Sequence, residues 1–392
     1  MTAYYEYSMP VKLCAGDGAL EHIPYELDNK NASKPLVLTD KGIVGAGLAD
    51  LLRSRAGKEL CAVVFDDVPQ DSGLETVEKA AAFFRENGCD SLIALGGGSV
   101  LDTAKGVCAL ITQKAEHVAD LIGCEEMKRG AYLPFIAVPT TSGTGSEATS
   151  VAVIADHARQ VKLEFITANM QPDVAILDPA LTEKLPLRLT ASTAADALCH
   201  AIEAFSCRQK NPVSDAFALT AVKMICDDLP VVIDKPSDKK ARLALATASF
   251  MAGAAFSNSM VGAVHGIGHA LGGVCGVPHG DAMAILLPAV MRFNLPVCGA
   301  EYKALLPALA GIDVYAETAE KERAAETVAR VTALMRMLNE KCGLPVRLSQ
   351  TGRVEREKLD AVCEKALNDG AMLFNPKEMS RKDVLAVLDE VF

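Results

Sequence analysis

The sequence predicts a two-part fold: an α/β region built on a parallel sheet, then an all-helical region. Three observations carry this. The first half alternates short apolar runs with helix-period segments. Those runs are apolar throughout, as in strands covered on both faces, and lack the in–out alternation of a half-exposed sheet. Beyond about Pro186 every periodic segment is helical and rich in Ala and Leu. The boundary is therefore placed at 186, with residues 1–186 as the α/β domain and 187–392 as the helical domain.

KPLVLTD (34–40) is an apolar run ending in an acid, and CAVVFDDV (61–68) is a second. LETVEKAAAFFRENG (74–88) reads as an amphipathic helix closed by Gly88, a residue suited to the left-handed turn after a helix. DSLIALGGG (90–98) is a strand running into glycines, with a helix expected from Ser99. LPFIAVPTT (133–141) and DVAILDP (173–179) are further buried strands. In the second half, helices are expected over 189–205, 214–229, 239–256 and 320–343. A last one follows Ser380, where Ser380 and Asp383 form a capping-box-like start.

The 392 residues suffice for two full cores. With half the residues hydrophobic and about a quarter charged, the class is soluble and globular. A net charge of −11 argues against nucleic acid as a partner, because phosphate binding needs a basic surface. No apolar run approaches the length of a membrane span, and MTAYYEYSMP has no signal-peptide grammar. The 12 cysteines contain no C-x-x-C pair, which points to a reducing cytoplasm and to cysteines used as small apolar residues.

In GGGSVLDTAKG (96–106) three glycines stand between a strand and a helix. Glycines let the backbone approach an anion, and the helix N-terminus offers free N–H groups. Ser99 is expected to cap, with Asp102 three residues on. Leu101 stands where G-x-G-x-x-G needs its last glycine, and no GK[ST] follows, so neither the dinucleotide fingerprint nor a Walker loop is present. A nucleotide pyrophosphate remains the favoured ligand of such a strand end. PTTSGTGSEAT (139–149) reads as a second wall of the same cleft. Asp40 ends the first clear strand; it reads either as a ribose-binding carboxylate that repels a 2′-phosphate or as a solvated turn residue.

In DALCHAIE (196–203), Asp196 and His200 share one helical face. His265 and His269 do the same in VHGIGH, and His279 follows in VPHGDA. Imidazoles and a carboxylate among Ala, Val and Gly are costly to bury unless satisfied, and a metal satisfies them together. One Asp with neutral His suits Fe²⁺ or Zn²⁺ and not Ca²⁺ or Mg²⁺. Gly266 stands where a zinc protease needs its Glu. Spacing alone does not say which of the five candidates is left out.

These stretches resemble the iron-containing (group III) alcohol dehydrogenases. GGGSVLDTAKG, PTTSGTGSEAT, AILDPALTEKLP, DALCHAIEAF and HGIGHALGG…VPHGDAMAILLP occur in that family's order over nearly the whole chain. The resemblance implies a Rossmann-like first domain that binds NAD, with NADP the lesser alternative. The implied cofactor residues are Gly97, Gly98, Ser99, Asp102, Thr140, Thr141, Thr144, Thr149 and Lys162, with Asp40 setting NAD preference. It implies Fe²⁺, with Zn²⁺ as alternative, held by Asp196, His200, His265 and His279. His269 is then the unligated histidine, in the proton path. A small alcohol or aldehyde substrate and a homodimer or higher homo-oligomer are implied as well. The chain departs from the family's pattern at VPQDS (68–72), Cys275–Gly276 and Met283, positions that bear on the substrate pocket. The competing readings are a dehydroquinate-synthase-like lyase, which releases no net NADH, and a purely structural metal.

Overall fold

The computed structural model describes residues 4–121, 131–159 and 161–392. The chain forms two compact units. One spans Met9–Lys184 and the other Leu185–Phe392. The described residues ahead of Met9, assigned by sequence to the α/β region, group with the helical unit instead. Asn258 explains this: its side chain accepts the Ser8 N–H at 2.8 Å and donates to the Ser8 carbonyl at 3.1 Å.

The α/β unit contains strands β1 (Lys12–Ala15), β2 (Pro35–Leu38), β3 (Val63–Phe65), β4 (Ser91–Gly96), β5 (Phe135–Pro139), β6 (Val151–Asp156), β7 (Val161–Ile166) and β8 (Val174–Leu177). Its helices are α1 (Ile23–Asp28), α2 (Lys41–Gly45), α3 (Leu48–Ala56), α4 (Leu74–Glu86) and α5 (Gly98–Gln113). Six strands pair in the order β1-β8-β5-β4-β2-β3, all parallel. The apolar runs alternate between two cores. Leu36, Leu38, Leu92, Ala94, Phe135 and Ala137 pack with residues of α4 and α5. Val37, Ile93, Leu95, Ile136, Val138 and Ile176 pack with residues of α1 and α3. Burial on both faces is why these strands read as continuous apolar runs.

Three strands lie beyond the sequence reading. β1 is a largely exposed edge strand, and β6 with β7 forms a separate antiparallel pair. Chain direction positions the ligand loops. From β2 the chain moves outward to β3, whereas from β4 it moves the other way, to β5. Between β2 and β4 the connections therefore diverge, and such a switch point opens a crevice at the carboxyl ends of the strands.

The second unit carries α6 (Leu187–Ser206), α7 (Pro212–Asp234), α8 (Lys239–Phe256), α9 (Ala263–Cys275), α10 (His279–Asn294), α11 (Gly299–Ala310), α12 (Ile312–Glu317), α13 (Arg323–Cys342), α14 (Leu359–Leu367) and α15 (Arg381–Val391). Among its described residues there is no strand. The core is built from small and branched side chains, among them Ala194, Ala197, Leu198, Ala201, Val264, Ile267 and Leu286. The Ser380–Asp383 capping box forms as the spacing predicts, with the Asp383 carboxylate accepting the Ser380 N–H at 2.9 Å. Among the described residues no helix is long and apolar enough to cross a membrane.

Candidate metal centre and nucleotide loops

Three helices of the second unit meet at one point. α6 places Asp196, His200 and Glu203 on one face, four and then three residues apart. α9 contributes His265 and His269 one turn apart, and α10 opens with His279. Glycines let these helices approach. A Cβ on Gly280 would lie 2.5 Å from the Ser192 carbonyl oxygen of α6. One on Gly268 would lie 2.0 Å from the Met283 side chain of α10. The α10 start is further tied to α6 by Asp281, whose carboxylate accepts from Arg188 at 2.6 Å and Ser192 at 3.0 Å.

Donor atoms of Asp196, His200, His265 and His279 all lie within 4.8 Å of one another. Asp196 Oδ1 is 3.3 Å from His279 Nε2 and 3.8 Å from both His200 Nδ1 and His265 Nε2. Asp196 Oδ1, His200 Nδ1 and His265 Nε2 are buried and have no hydrogen-bond partner. Three orphaned atoms converging on one point are expensive unless a cation satisfies them. Borderline nitrogen donors with one carboxylate suit a divalent transition metal, so the residues fit the iron or zinc that the sequence implies. His279 is the most open of the four, with 31 % of its side chain exposed.

Burial holds His265 well below the usual imidazole range and lowers His200 to about 3, so both are neutral and offer lone pairs. Burial alone would raise the Asp196 carboxyl, but the imidazoles of His200, His279 and His265 outweigh it and hold the carboxyl low. His269 stands outside the four. Its ring is 5.6 Å from that of His279, and its Nδ1 is 2.9 Å from Asp369 Oδ2. Two acids escaped the sequence reading. Asp369 comes from a short helical turn a hundred residues away, and nothing local marks it. Glu203 could have been found from its spacing on the Asp196–His200 face; its carboxylate lies 2.5 Å from His265 Nδ1. Burial raises Glu203 to about 7, against the backbone N–H bonds that favour its ionised form.

In the α/β unit the candidate residues gather at the ends of β4 and β5. The Thr140 N–H donates to the Gly96 carbonyl at 3.0 Å. Gly97 faces Thr141 and Gly98 faces Thr144 so closely that a Cβ on Gly98 would lie 2.8 Å from Thr144 Cγ2. The capping expectation is corrected here. Gly97, extended and without a side-chain cap, precedes α5, and Ser99 lies within the helix. Ser99 Oγ instead accepts the Asp71 N–H at 3.1 Å. The uncapped start leaves N–H groups for an incoming anion. Asp102 is no cap partner either: it accepts from Ser146 Oγ at 2.6 Å and the Val153 N–H at 3.1 Å.

Thr149 is buried, and its hydroxyl is engaged by Lys105 Nζ at 2.8 Å and the Val151 carbonyl at 3.2 Å. It supports the loop from behind and does not line it. Burial lowers the Lys105 ammonium to about 8. Lys162 Nζ pairs with Asp71 Oδ1 at 2.8 Å, which links it through Asp71 to Ser99. Asp40 is the N-cap of α2, where its Oδ1 accepts the Ile43 N–H at 2.8 Å. It is therefore neither an idle turn residue nor wholly available to a ribose.

Two family models match the chain. One, described as iron-containing alcohol dehydrogenase, matches residues 10–179; the other, the C-terminal part of the Fe-containing alcohol dehydrogenase family, matches residues 190–392. The chain is 34 % identical over 385 residues to an NAD-dependent methanol dehydrogenase of Bacillus methanolicus, covering 97 % of this chain and 98 % of the relative. Among solved structures, a 1,3-propanediol oxidoreductase superposes with a TM-score of 0.92 at 30 % identity, over 99 % of this chain and all of that one. A sulfoacetaldehyde reductase of Bifidobacterium kashiwanohense, solved with NAD+, superposes with a TM-score of 0.87 at 26 % identity, over 99 % and 98 %.

Proposed function

The chain belongs to the iron-containing alcohol dehydrogenase family, and from that premise we propose that it transfers hydride between NAD(H) and a small primary alcohol, its aldehyde, or a short diol. The observation that carries the reading is the convergence of the orphaned Asp196, His200 and His265 donor atoms with His279. A purely structural metal is disfavoured by the partly open His279 and by the glycine loops in the same chain.

When bound, a divalent metal and the nicotinamide supply Lewis acidity and a hydride acceptor. Asp196, His200, His265 and His279 are the proposed holders of the metal. His200 and His265, kept neutral by burial, leave Asp196 as the one anionic donor of the four. His269 is the proposed proton carrier. Its Nδ1 is held by Asp369 Oδ2 at 2.9 Å, which fixes the ring. Gly97, Gly98, Ser99, Thr140, Thr141 and Thr144 would cradle the cofactor's phosphates, and Lys162 would sit along it. Asp102 and Thr149 would brace that loop from within.

We place the enzyme in the cytoplasm as a homo-oligomer. The eleven cysteines among the described residues are free thiols, which supports a reducing compartment. The assembly reading is an inference from the family. The test is an anaerobic panel of aldehydes and diols with NADH or NADPH and added Fe²⁺ or Zn²⁺. NADH is expected to be consumed with small aldehydes. Turnover without net change in NADH would instead favour the lyase reading.

A further inference from the structure

We propose that Glu203 is a positioning residue that sets the tautomer of His265, so that its Nε2 lone pair is the one presented to the metal. The proposal rests on Asp196, His200, His265 and His279 being the metal ligands.

A neutral imidazole has one N–H and one lone pair. His265 Nε2 points toward Asp196 Oδ1, 3.8 Å away, and has no hydrogen-bond partner. A proton on Nε2 would block that direction. Nδ1 meets Glu203 Oε2 at 2.5 Å. With the proton on Nδ1 this is a charge-assisted hydrogen bond and the Nε2 lone pair is free to coordinate. Where Glu203 is the carboxylate, a proton on Nε2 would leave two electron-rich atoms facing each other at the same distance.

Glu203 is itself fixed by a second bond. Its Oε1 accepts the Val264 N–H at 2.8 Å, at the opening turn of α9. The helix dipole there favours an anion. The residue at the N-cap position is Gly262, and a Cβ on it would lie 3.0 Å from Glu203 Oε1. The chain thus leaves out a local cap and lets an acid from α6 take its place. Asp196, His200 and Glu203 span eight residues of one helix face, about 10 Å along the axis. One face of α6 supplies two ligands and orients a third.

Glu203→Gln tests this, because the two roles separate. The amide oxygen can keep the Val264 N–H, which turns the amide nitrogen toward His265 Nδ1. That favours the Nε2–H tautomer. Metal affinity of the purified enzyme, measured by chelator competition with Zn²⁺, is expected to fall about 10- to 100-fold, while the melting temperature of the metal-free protein barely moves. In ¹⁵N spectra of the histidine rings, His265 is expected to carry its proton on Nδ1 in the parent and on Nε2 in the variant. Parental affinity in Glu203→Gln, with metal lost in Asp196→Ala, would overturn the proposal and leave the ligand set standing. Retention of metal by Asp196→Ala would overturn the ligand set, and the proposal with it. Should Glu203→Gln not fold, the parent spectrum decides: a proton on His265 Nε2 sinks the idea.

Discussion

The two units build their candidate sites from opposite materials. The α/β unit gathers backbone N–H groups and small hydroxyls at the ends of adjacent parallel strands, around Gly97, Gly98, Thr140, Thr141 and Thr144. The helical unit gathers four long-range side-chain donors whose atoms lie within 4.8 Å of one another. The first kind of site shares its work over many similar groups, so losing one weakens it by degrees. The second concentrates its work in four atoms, so losing one removes the ion. The sharpest way to break this contrast is therefore in the helical unit.

Asp196→Ala and His265→Ala are expected to abolish metal binding. Lewis-acid catalysis contributes several kcal/mol, so turnover should fall by about a thousandfold or more. His269→Ala is expected to lose activity and keep its metal, because His269 stands outside the cluster and is anchored by Asp369. Metal analysis of the three purified variants checks the assignment. A His269 variant without metal beside a His265 variant that keeps it would reverse the roles given to these two residues.

The same contrast explains what the sequence could say. The parallel strands β2, β4, β5 and β8 were legible because burial on both faces leaves a continuous apolar run, as in SLIALG, whereas the exposed edge strand β1 offers none. The antiparallel β6–β7 pair was not read: β7, VKLEFI, is interrupted by Lys162 and Glu164, and β6, VAVIAD, is an apolar run that the reading passed over. The glycine loop is contiguous and was legible as an anion site, yet its cap was misread. Ser99 resembles an N-cap by type, but Gly97 holds the extended conformation before α5. In the helical unit, spacing on one face exposed Asp196–His200 and His265–His269. It could not reveal which histidine is left out, because that depends on where α10 docks. The close approach at Gly280 brings His279 to 3.3 Å from Asp196. Asp369 was illegible for the same reason: its partner His269 is a hundred residues away.

A smaller effect is expected when the α/β site is perturbed by a single methyl group. Gly98→Ala puts a Cβ 2.8 Å from Thr144 Cγ2. Thr144 must turn, and the two loops must part slightly at the uncapped start of α5. The KM for NADH is expected to rise about tenfold, equivalent to about 1.4 kcal/mol, with metal content unchanged. Steady-state kinetics beside metal analysis separates the units. Loss of metal in Gly98→Ala would mean that the two sites do not fail independently.

The mildest test removes one charge and no structure. Asp40 follows β2 and caps α2 through its bond to the Ile43 N–H. Serine is as good a cap as aspartate, so Asp40→Ser should leave α2 and the melting temperature near the parent. What it removes is the negative charge that would repel a 2′-phosphate. At a partly exposed position, screened by salt, that repulsion is about 1 kcal/mol. The KM for NADPH should therefore fall about fivefold, while that for NADH changes little or rises slightly. The ratio of the two KM values at fixed ionic strength reads the effect, and raising the salt should shrink it. An unchanged ratio would mean that Asp40 serves the protein as a helix cap alone, and that cofactor choice lies with groups other than the acid that follows β2.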